Sequence, residues 1–424
     1  VNFIKKLKLK NLIIAGESSG DNLGADLIKE MVFQHSLKCS SRAEINQEHP
    51  SFVGEEIVFQ GIGGPLMKQQ GLVSLFRMED LAVMGLTEVL PKLPKIFSIM
   101  KGIVRYVDIW KPDLIITIDS PDFSMKLVKR LRMIDKFVPI IHYVAPSVWA
   151  WRASRAKEMA KYYDHILTLL PFESDFFEKY GINCDFVGHP ISRLKLPNQI
   201  QVNTFISKMN LDITKRVIAI LPGSRKSEIL FMLPIFVSVI RKLRMKFDDL
   251  EFVIPAPAHV SKLIENRITK EKVNVKILAE ENFTNEEFKA FKFSLFGLSS
   301  VALATSGSVS LELARTGTPM ITAYRCGWIF EMILKRFVNV KSANLINIIL
   351  GQNLIPEFLF EKCTVSNLFA SISQLLTDSA FLLEQKSCQS EVIKALVGEQ
   401  GRSSEAAARS VLRFLNYEES DILK

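Results

Sequence analysis

Short runs of almost purely apolar residues recur along the whole chain, and longer helix-like segments separate them. The runs span six to eight residues, and most of them end near a Gly, Pro or Ser. They lie at 11–16, 57–63, 114–120, 139–146, 165–172, 185–190, 217–224, 251–257, 275–280, 301–307 and 318–325. Runs that are apolar throughout are typical of parallel strands covered on both faces. The alternation therefore predicts an α/β protein with two doubly wound sheets.

The length of 424 residues also favours more than one domain, because single cores rarely grow so large. We expect a first Rossmann-like domain at 1–192 and a second at 206–400, joined by the polar linker 193–205. The end of the chain, 401–424, is predicted to be a helix that packs on the first domain or on another subunit. Residues 35–56 lack clear periodicity and are predicted to form an exposed excursion.

A different period appears between residues 83 and 107, where apolar positions recur every three or four residues with Lys and Arg between them. This pattern predicts an amphipathic helix with a basic face. Pro91 and Pro94 predict that the helix is interrupted. Core packing is the usual role of such a stripe, and docking on an anionic membrane or holding acyl chains is the alternative.

Composition narrows the class of protein. The net charge of +9 favours anionic partners such as a nucleotide, a phosphorylated substrate or an acidic membrane surface, and no nucleic-acid-binding motif stands out. The five cysteines are scattered without a CxxC pair, which argues against a disulfide framework and a structural zinc site and favours a reducing, cytoplasmic compartment. No apolar run is long enough for a transmembrane helix.

Polar groups follow the apolar runs of the first half, where ligands of open α/β sheets bind. "AGESSGDNLGADLI" (15–28) offers Gly, Ser and backbone N–H groups that suit an anion or a hydroxyl, although a plain turn explains it equally well. Its glycines are spaced by four, unlike GxGxxG, so NAD binding is disfavoured. In "IDSPDF", Asp119 and Asp122 follow the third run. Such a carboxylate can act as a general base towards a sugar hydroxyl, or Asp122 can cap the next helix.

The second half repeats this arrangement. In "LPGSRKSEI", Arg225 lies at a helix start, where a cation opposes the macrodipole unless an anion is bound beside it. A diphosphate could bind Arg225 and backbone N–H groups, and a solvated surface is the alternative. In "TSGSVSLE", Ser306, Gly307 and Ser308 could hold phosphate while Glu312 binds ribose hydroxyls, or Glu312 could simply complement the helix end.

The segment "HYVAPSVWAWR" (142–152) concentrates groups that need polar partners, so it is either a structural corner or one wall of a binding cleft. With this segment and ten others, the chain resembles the lipid A disaccharide synthases, and the segments occur in the order typical of that family. The ten others are "AGESSGD", "GIGGPLM", "MGLTEVL", "IDSPDF", "LPFE", "VGHP", "LPGSR", "TSGSVSLE", "AYR" and "NIILGQNLIPEFL". The resemblance implies a GT-B fold with two domains facing a cleft, and no metal or cofactor. It also implies the transfer of 2,3-diacylglucosamine from its UDP derivative to 2,3-diacylglucosamine 1-phosphate, at the cytoplasmic face of the inner membrane.

The resemblance also implies roles for individual residues. Asp122 would be the general base, supported by Asp119, with His142 as the alternative base, and Arg225 would stabilise the departing diphosphate. The other expected donor-binding residues are Ser224, Ser306, Gly307, Ser308, Glu312, Asn347 and Glu357. The expected acceptor- or sugar-binding residues are Glu17, Ser18, Ser19, His142, Trp149 and Arg152. Membrane or acyl contact is expected at Leu86, Val89, Leu90, Leu93, Ile96 and Phe97.

Three rival hypotheses remain at this point. A GT-B protein could instead be a UDP-N-acetylglucosamine 2-epimerase or a transferase of peptidoglycan precursors. An NAD-linked oxidoreductase is disfavoured by the glycine spacing. A non-catalytic protein of the membrane surface would leave Asp122 and Arg225 without a role. The "PSVWAWR" segment and the amphipathic stretch favour the lipid glycosyltransferase.

Overall fold

The chain folds into two compact units, each built on one parallel sheet. The computed structural model describes residues 8–45, 56–81, 86–151, 154–328, 331–332, 342–398 and 401–414. The first unit comprises Val1–Pro190 together with Val397–Lys424, and the second comprises Ile191–Leu396.

The sheet of the first unit has the strand order β3-β2-β1-β4-β5-β6-β7. Its strands are β1 (Lys8–Ala15), β2 (Glu56–Ile62), β3 (Val73–Ser74), β4 (Leu114–Ile118), β5 (Ile140–Tyr143), β6 (His165–Thr168) and β7 (Asn183–Phe186). The helices of this unit are α1 (Ser18–Ile45), α2 (Pro65–Gln69), α3 (Leu86–Trp110), α4 (Pro121–Ile134), α5 (Val148–Trp151), α6 (Ser154–Met159), α7 (Glu173–Glu178) and, from the end of the chain, α16 (Ser403–Phe414).

The second unit repeats this winding, with the order β10-β9-β8-β11-β12-β13. Its strands are β8 (Arg216–Leu221), β9 (Leu250–Ala256), β10 (Lys276–Ala279), β11 (Ser299–Thr305), β12 (Met320–Tyr324) and β13 (Glu357–Leu359). Its helices are α8 (Gln199–Lys208), α9 (Lys226–Lys246), α10 (Ala258–Glu271), α11 (Asn285–Leu298), α12 (Val309–Thr316), α13 (Leu345–Leu350), α14 (Val365–Thr377) and α15 (Ser379–Ala395).

Both sheets change winding direction once, and that point positions the candidate site of each unit. The first strand of each sheet is paired on both sides, β1 with β2 and β4, and β8 with β9 and β11. Successive strands extend each sheet first to one side and then to the other. The loops after β1 and β4 therefore diverge and leave a crevice, and the loops after β8 and β11 do the same in the second unit.

The apolar runs form strands because both faces of each sheet are covered. In β1, Leu12 and Ile14 belong to one buried cluster, whereas Ile13 and Ala15 belong to another on the opposite face. All eleven predicted runs contain or overlap a strand, which confirms the α/β, doubly wound prediction. The runs missed β3 and β13, which have two and three residues and are too short to give a periodic signal.

The structure corrects the prediction of an interrupted helix between residues 83 and 107. Helix α3 is continuous from Leu86 to Trp110 and includes both Pro91 and Pro94. Each proline removes one backbone hydrogen bond. Packing of the later turns offsets this loss, because Met100, Ile103 and Val107 are buried against the sheet.

The predicted excursion at 35–56 is also partly wrong, because α1 continues through Ile45 and His35 is buried. Residues 46–55 lie outside the described part of the chain. In the predicted linker 193–205, helix α8 begins at Gln199 and is capped by the side chain of Asn198, which accepts a hydrogen bond from the backbone N–H of Gln201.

The end of the chain packs on the first unit, where Ala407, Ala408, Val411 and Leu412 of α16 join the cluster that includes α1. A polar contact adds to this packing. The Ser410 hydroxyl donates to the Asp185 carboxylate, and His165 Nε2 lies 3.1 Å from Ser410 Oγ and 3.3 Å from Asp185 Oδ2. The hydrogen bond from His165 lowers the pKa of Asp185 to about 2. This contribution to stability is therefore present above the ordinary carboxyl pKa and is lost as the pH falls towards 2.

We predict that Ser410→Ala loosens α16 from the first unit. The change leaves a buried site with one hydrogen bond fewer to a charged group, so the free energy of unfolding should fall by about 1–3 kcal/mol. Amide hydrogen exchange should also accelerate in α16 more than in β8 or β11. Ser404→Ala in the same helix is the control and should change stability by less than about 0.5 kcal/mol. Equal effects of the two substitutions would contradict the assignment.

Candidate functional site

The loops after β1 and β4 meet at the switch point of the first sheet. Ser19 Oγ donates a hydrogen bond to Asp119 Oδ2 at 2.9 Å. A Cβ atom on Gly16 would lie 2.6 Å from Ser120 Oγ, so glycine lets the two loops approach without displacing the Ser120 side chain. Asp119 and Ser120 both have positive φ, which turns the chain sharply from β4 into α4. The structure therefore brings together the "GESSGD" and "IDSPDF" motifs.

Asp21 connects the "GESSGD" motif to the "GIGGPLM" motif. Its buried carboxylate accepts hydrogen bonds from the backbone N–H groups of Gly64, Leu66 and Met67, at 2.8, 3.1 and 3.0 Å. A Cβ atom on Gly64 would collide with this carboxylate. Asp21 thus fixes the start of α2 to α1. Of the neighbouring predicted ligands, Ser18 and Ser19 are exposed and Glu17 is partly exposed.

Asp122 lies in the first turn of α4, not at its cap, because the N-cap residue is Ser120. Its carboxylate is 70% exposed and pairs with the guanidinium of Arg155 from α6. Both residues line a cavity of about 130 Å³ that also contains His142. Asp122 is therefore accessible to a ligand, and Arg155 holds its carboxylate beside the cavity.

His142 is fully buried at the end of β5, and its Nδ1 lies 2.8 Å from Thr117 Oγ1. Burial lowers the pKa of His142 to about 4, although the nearby Asp119 opposes this shift. The two candidate bases therefore differ in exposure, since the Asp122 carboxylate is open to a ligand and the His142 ring is buried.

Trp149 attaches the "PSVWAWR" segment to Phe172 and Glu173. Its indole N–H donates to Glu173 Oε1 at 3.1 Å, and its ring packs edge-on against Phe172. Glu173 also accepts hydrogen bonds from the backbone N–H groups of Leu169 and Leu170. Burial of its carboxyl group raises the pKa of Glu173 to about 7. Glu173 thus connects "LPFE" to "PSVWAWR". Arg152 lies outside the described residues.

The predicted membrane-contact residues divide along α3. Phe97 is 42% exposed, and Leu93 and Ile96 are partly exposed. The side chains of Leu86, Val89 and Leu90 lie outside what the structure describes. In the part of the chain that is described, no helix is both long and apolar enough to cross a bilayer.

In the second unit, the "LPGSR" loop follows β8 at the switch point. Arg225 lies at the N-cap of α9, and its side chain is 72% exposed. The sequence predicted that backbone N–H groups here bind diphosphate. In the structure the N–H groups of Ser224 and Arg225 instead donate to Glu228 Oε2, at 3.0 and 3.2 Å. His259 Nε2 lies 2.7 Å from the Ser224 carbonyl oxygen and fixes the other side of the loop.

The "TSGSVSLE" turn after β11 faces the same crevice. A pocket of about 420 Å³ is lined by Ser224, Arg225, Ser306, Gly307, Ser308, Glu312 and Lys292, together with Phe288 and Phe296. Lys292 Nζ lies 2.8 Å from Glu312 Oε2. In the described part of the chain, the amides of Gly307 and Ser308 have no protein acceptor. This pocket combines open N–H donors, a carboxylate and apolar rings, as nucleotide recognition requires.

Asn347 and Glu357 stabilise loops beside this pocket and do not line it. The side-chain amide of Asn347 is bonded to the backbone of Leu354 and Ile355. Glu357 accepts hydrogen bonds from the Ser306 and Ser342 hydroxyls and the Ala343 N–H. Their predicted contact with the donor stays a prediction.

Four residues of these sites were not predicted from the sequence, namely Arg155, Glu173, His259 and Lys292. Arg155 lies three residues after the end of "PSVWAWR" and Glu173 belongs to "LPFE", so both lie in or near recognised motifs. His259 and Lys292 come from other elements, and no local pattern places them near Ser224 or Glu312. Among the described residues, no cluster of His, Cys, Asp and Glu is suited to a metal ion.

Comparison with known proteins gives one consistent family. The family model described as Lipid-A-disaccharide synthetase matches residues 11–411. A lipid-A-disaccharide synthase of Rhodospirillum centenum is 36% identical over 403 residues, covering 95% of this chain and 94% of that protein. The corresponding protein of Ruegeria pomeroyi is 35% identical over 372 residues, covering 88% of each.

Solved structures share the fold at low sequence identity. The UDP-GlcNAc 2-epimerase of Neisseria meningitidis bound to UDP-GlcNAc superposes with a TM-score of 0.58 at 11% identity, covering 97% of this chain and all of that one. A glycosyltransferase of Rickettsia africae superposes with a TM-score of 0.52 at 13% identity, covering 97% and 98%. The epimerase likeness concerns the fold alone, whereas the sequence match decides the family. The chain belongs to the lipid-A-disaccharide synthetase family and is a glycosyltransferase of lipid A biosynthesis with the GT-B fold, as its motifs predict.

Proposed function

We propose that the protein transfers 2,3-diacylglucosamine from its UDP derivative to the 6-hydroxyl of 2,3-diacylglucosamine 1-phosphate. The products are UDP and the β-1′,6-linked tetraacyl disaccharide 1-phosphate. The observation that carries the proposal is the pair of switch-point sites. The first unit offers an accessible carboxylate, and the second offers a guanidinium and open amides beside a pocket of nucleotide size.

In this reaction Asp122 accepts the proton of the acceptor hydroxyl as its oxygen attacks C1 of the donor sugar. The bond between C1 and the diphosphate oxygen breaks on the opposite face, and UDP leaves with the electron pair, so the configuration inverts. Asp119, bonded to Ser19, supports the turn that carries Asp122. Arg225 neutralises charge on the departing diphosphate, which is a form of transition-state stabilisation. The N–H groups of Gly307 and Ser308 and the Glu312 carboxylate bind the nucleotide.

The exposed part of α3 is proposed to attach the protein to the cytoplasmic face of the inner membrane. Phe97 presents its ring to solvent, and Lys101 and Arg105 on the same helix are exposed. Apolar and basic side chains together favour binding at the surface of an anionic bilayer. Membrane attachment would place the enzyme where both lipid substrates lie.

The reaction itself is tested by incubating the purified protein with both proposed substrates. We expect UDP and disaccharide to appear in equal amounts, and both to require the acceptor. UDP released at the same rate without the acceptor would contradict the transferase assignment.

Asp122→Asn should lower turnover by ~10²–10⁴-fold, because the amide cannot accept the proton. Binding of UDP, measured by calorimetry, should be unchanged. Asp175→Asn is the matched control, since Asp175 is an exposed carboxylate in the first turn of α7 in the same unit. Near-normal turnover of Asp122→Asn would move the role of base to another group.

Phe97→Ser should weaken binding to vesicles that contain anionic phospholipid. Burial of the exposed part of the ring is worth ~1–2 kcal/mol, or about 5- to 30-fold in the vesicle dissociation constant. Ile213→Ser, an exposed apolar residue of the second unit, is the control. Sedimentation with vesicles measures the effect, and an unchanged melting temperature shows that the fold is intact. Equal binding of wild type and Phe97→Ser would contradict this attachment surface.

A further inference from the structure

The cavity beside Asp122 contains a polar group that the proposed chemistry leaves unused. Its volume is about 130 Å³, and the first unit alone supplies its lining. His142 lines the cavity, and its Nε2 is buried and has no hydrogen-bond partner among the described residues. Buried polar atoms are nearly always paired, so an unpaired ring nitrogen at a cavity points to a ligand atom.

The hydrogen bonds around His142 determine what its Nε2 can offer. Thr117 Oγ1 lies 2.8 Å from His142 Nδ1 but 3.5 Å from the Ile141 carbonyl oxygen. The shorter distance favours a hydrogen bond in which the Thr117 hydroxyl donates to Nδ1. Nδ1 is then an acceptor, so Nε2 carries the proton and is a donor without a partner among the described residues.

The charges at the cavity favour an anion. Its lining includes Lys126, Lys129 and Arg155 against the carboxylates of Asp122 and Glu158. Lys129 pairs with Glu158, and Arg155 pairs with Asp122. Lys126 makes no ion pair within the described residues, which leaves one excess positive charge. A neutral N–H donor and one excess positive charge together match the oxygens of a phosphoryl group.

We propose that this cavity binds the phosphate of the acceptor, with His142 Nε2–H as the donor at its floor and Lys126 and Arg155 as its cations. The inference rests on the proposed function, because that function supplies an acceptor with a phosphate. Arg155 would then contact both Asp122 and the phosphate. The same guanidinium would thereby place the acceptor near the base.

The tautomer is tested in the wild-type protein by nitrogen NMR of the imidazole rings. The chain has only six histidines, so the signals can be assigned with one His142→Gln reference sample. We expect His142 to be neutral and protonated at Nε2, and its Nε2 signal to shift when 2,3-diacylglucosamine 1-phosphate in detergent is added. A proton on Nδ1, or no shift at an acceptor concentration that saturates turnover, would overturn the proposal.

The ligand is tested by kinetics with two acceptors, one with the 1-phosphate and one without it. His142→Phe should raise KM for the phosphorylated acceptor about 10- to 100-fold and leave KM for the donor unchanged, because a hydrogen bond to a charged group is lost. His142→Gln, which keeps an N–H donor, should recover most of the loss. Removing the 1-phosphate from the acceptor should raise the KM of the wild-type enzyme for the acceptor much more than it raises the KM of the His142→Phe variant.

If His142→Phe raised KM equally for both acceptors, or lowered kcat alone, the phosphate would bind elsewhere. If His142→Phe does not fold, Lys126→Met at the exposed edge of the cavity gives the same comparison between acceptors. Failure of the proposed function gives a different result, since wild type would then form no disaccharide with either acceptor.

Discussion

Both candidate sites depend on one constraint. At the carboxyl ends of the parallel strands, two neighbouring loops diverge and leave a crevice. Parallel strands place their loops at the same edge, and a reversal of winding separates two of them by one strand spacing. In the first unit this point is held by the Ser19–Asp119 hydrogen bond, and Gly16 permits the close approach of the loops. In the second unit the loops after β8 and β11 border the nucleotide-sized pocket.

Buried or half-buried acidic and amide side chains give these loops their fixed shapes. Asp21, Glu173 and Glu228 each accept two or more backbone N–H groups from a loop next to a site. Asn347 does the same beside α13, and Glu357 accepts the Ala343 N–H together with the Ser306 and Ser342 hydroxyls beside β13. The backbone N–H groups of a loop have no acceptor on a neighbouring strand. These side chains supply the acceptors that a neighbouring strand would supply within a sheet. Much of the polar character of the family motifs is therefore structural, and this leaves Asp122, Arg225 and the Gly307–Ser308 amides open to ligands.

The sequence predicted the sheets well because buried parallel strands give continuous apolar runs. It placed Asp119, Asp122 and the Ser306–Ser308 turn correctly at strand ends, since the run and the motif are adjacent in the chain. It predicted a break in α3 from its prolines, because tertiary packing of Met100 and Ile103 is not visible in a local pattern. It also missed Lys292 and His259, whose positions depend on contacts between distant elements.

We propose that the switch point of each unit binds a different substrate. Hydrogen exchange measured by mass spectrometry, with UDP and with the lipid acceptor added separately, distinguishes the two sites. We predict that UDP protects amides at 221–228 and 305–312 in the second unit, whereas the acceptor protects 118–126 and 142–149 in the first. Protection of the first unit's loops by UDP, with none at 305–312, would contradict it.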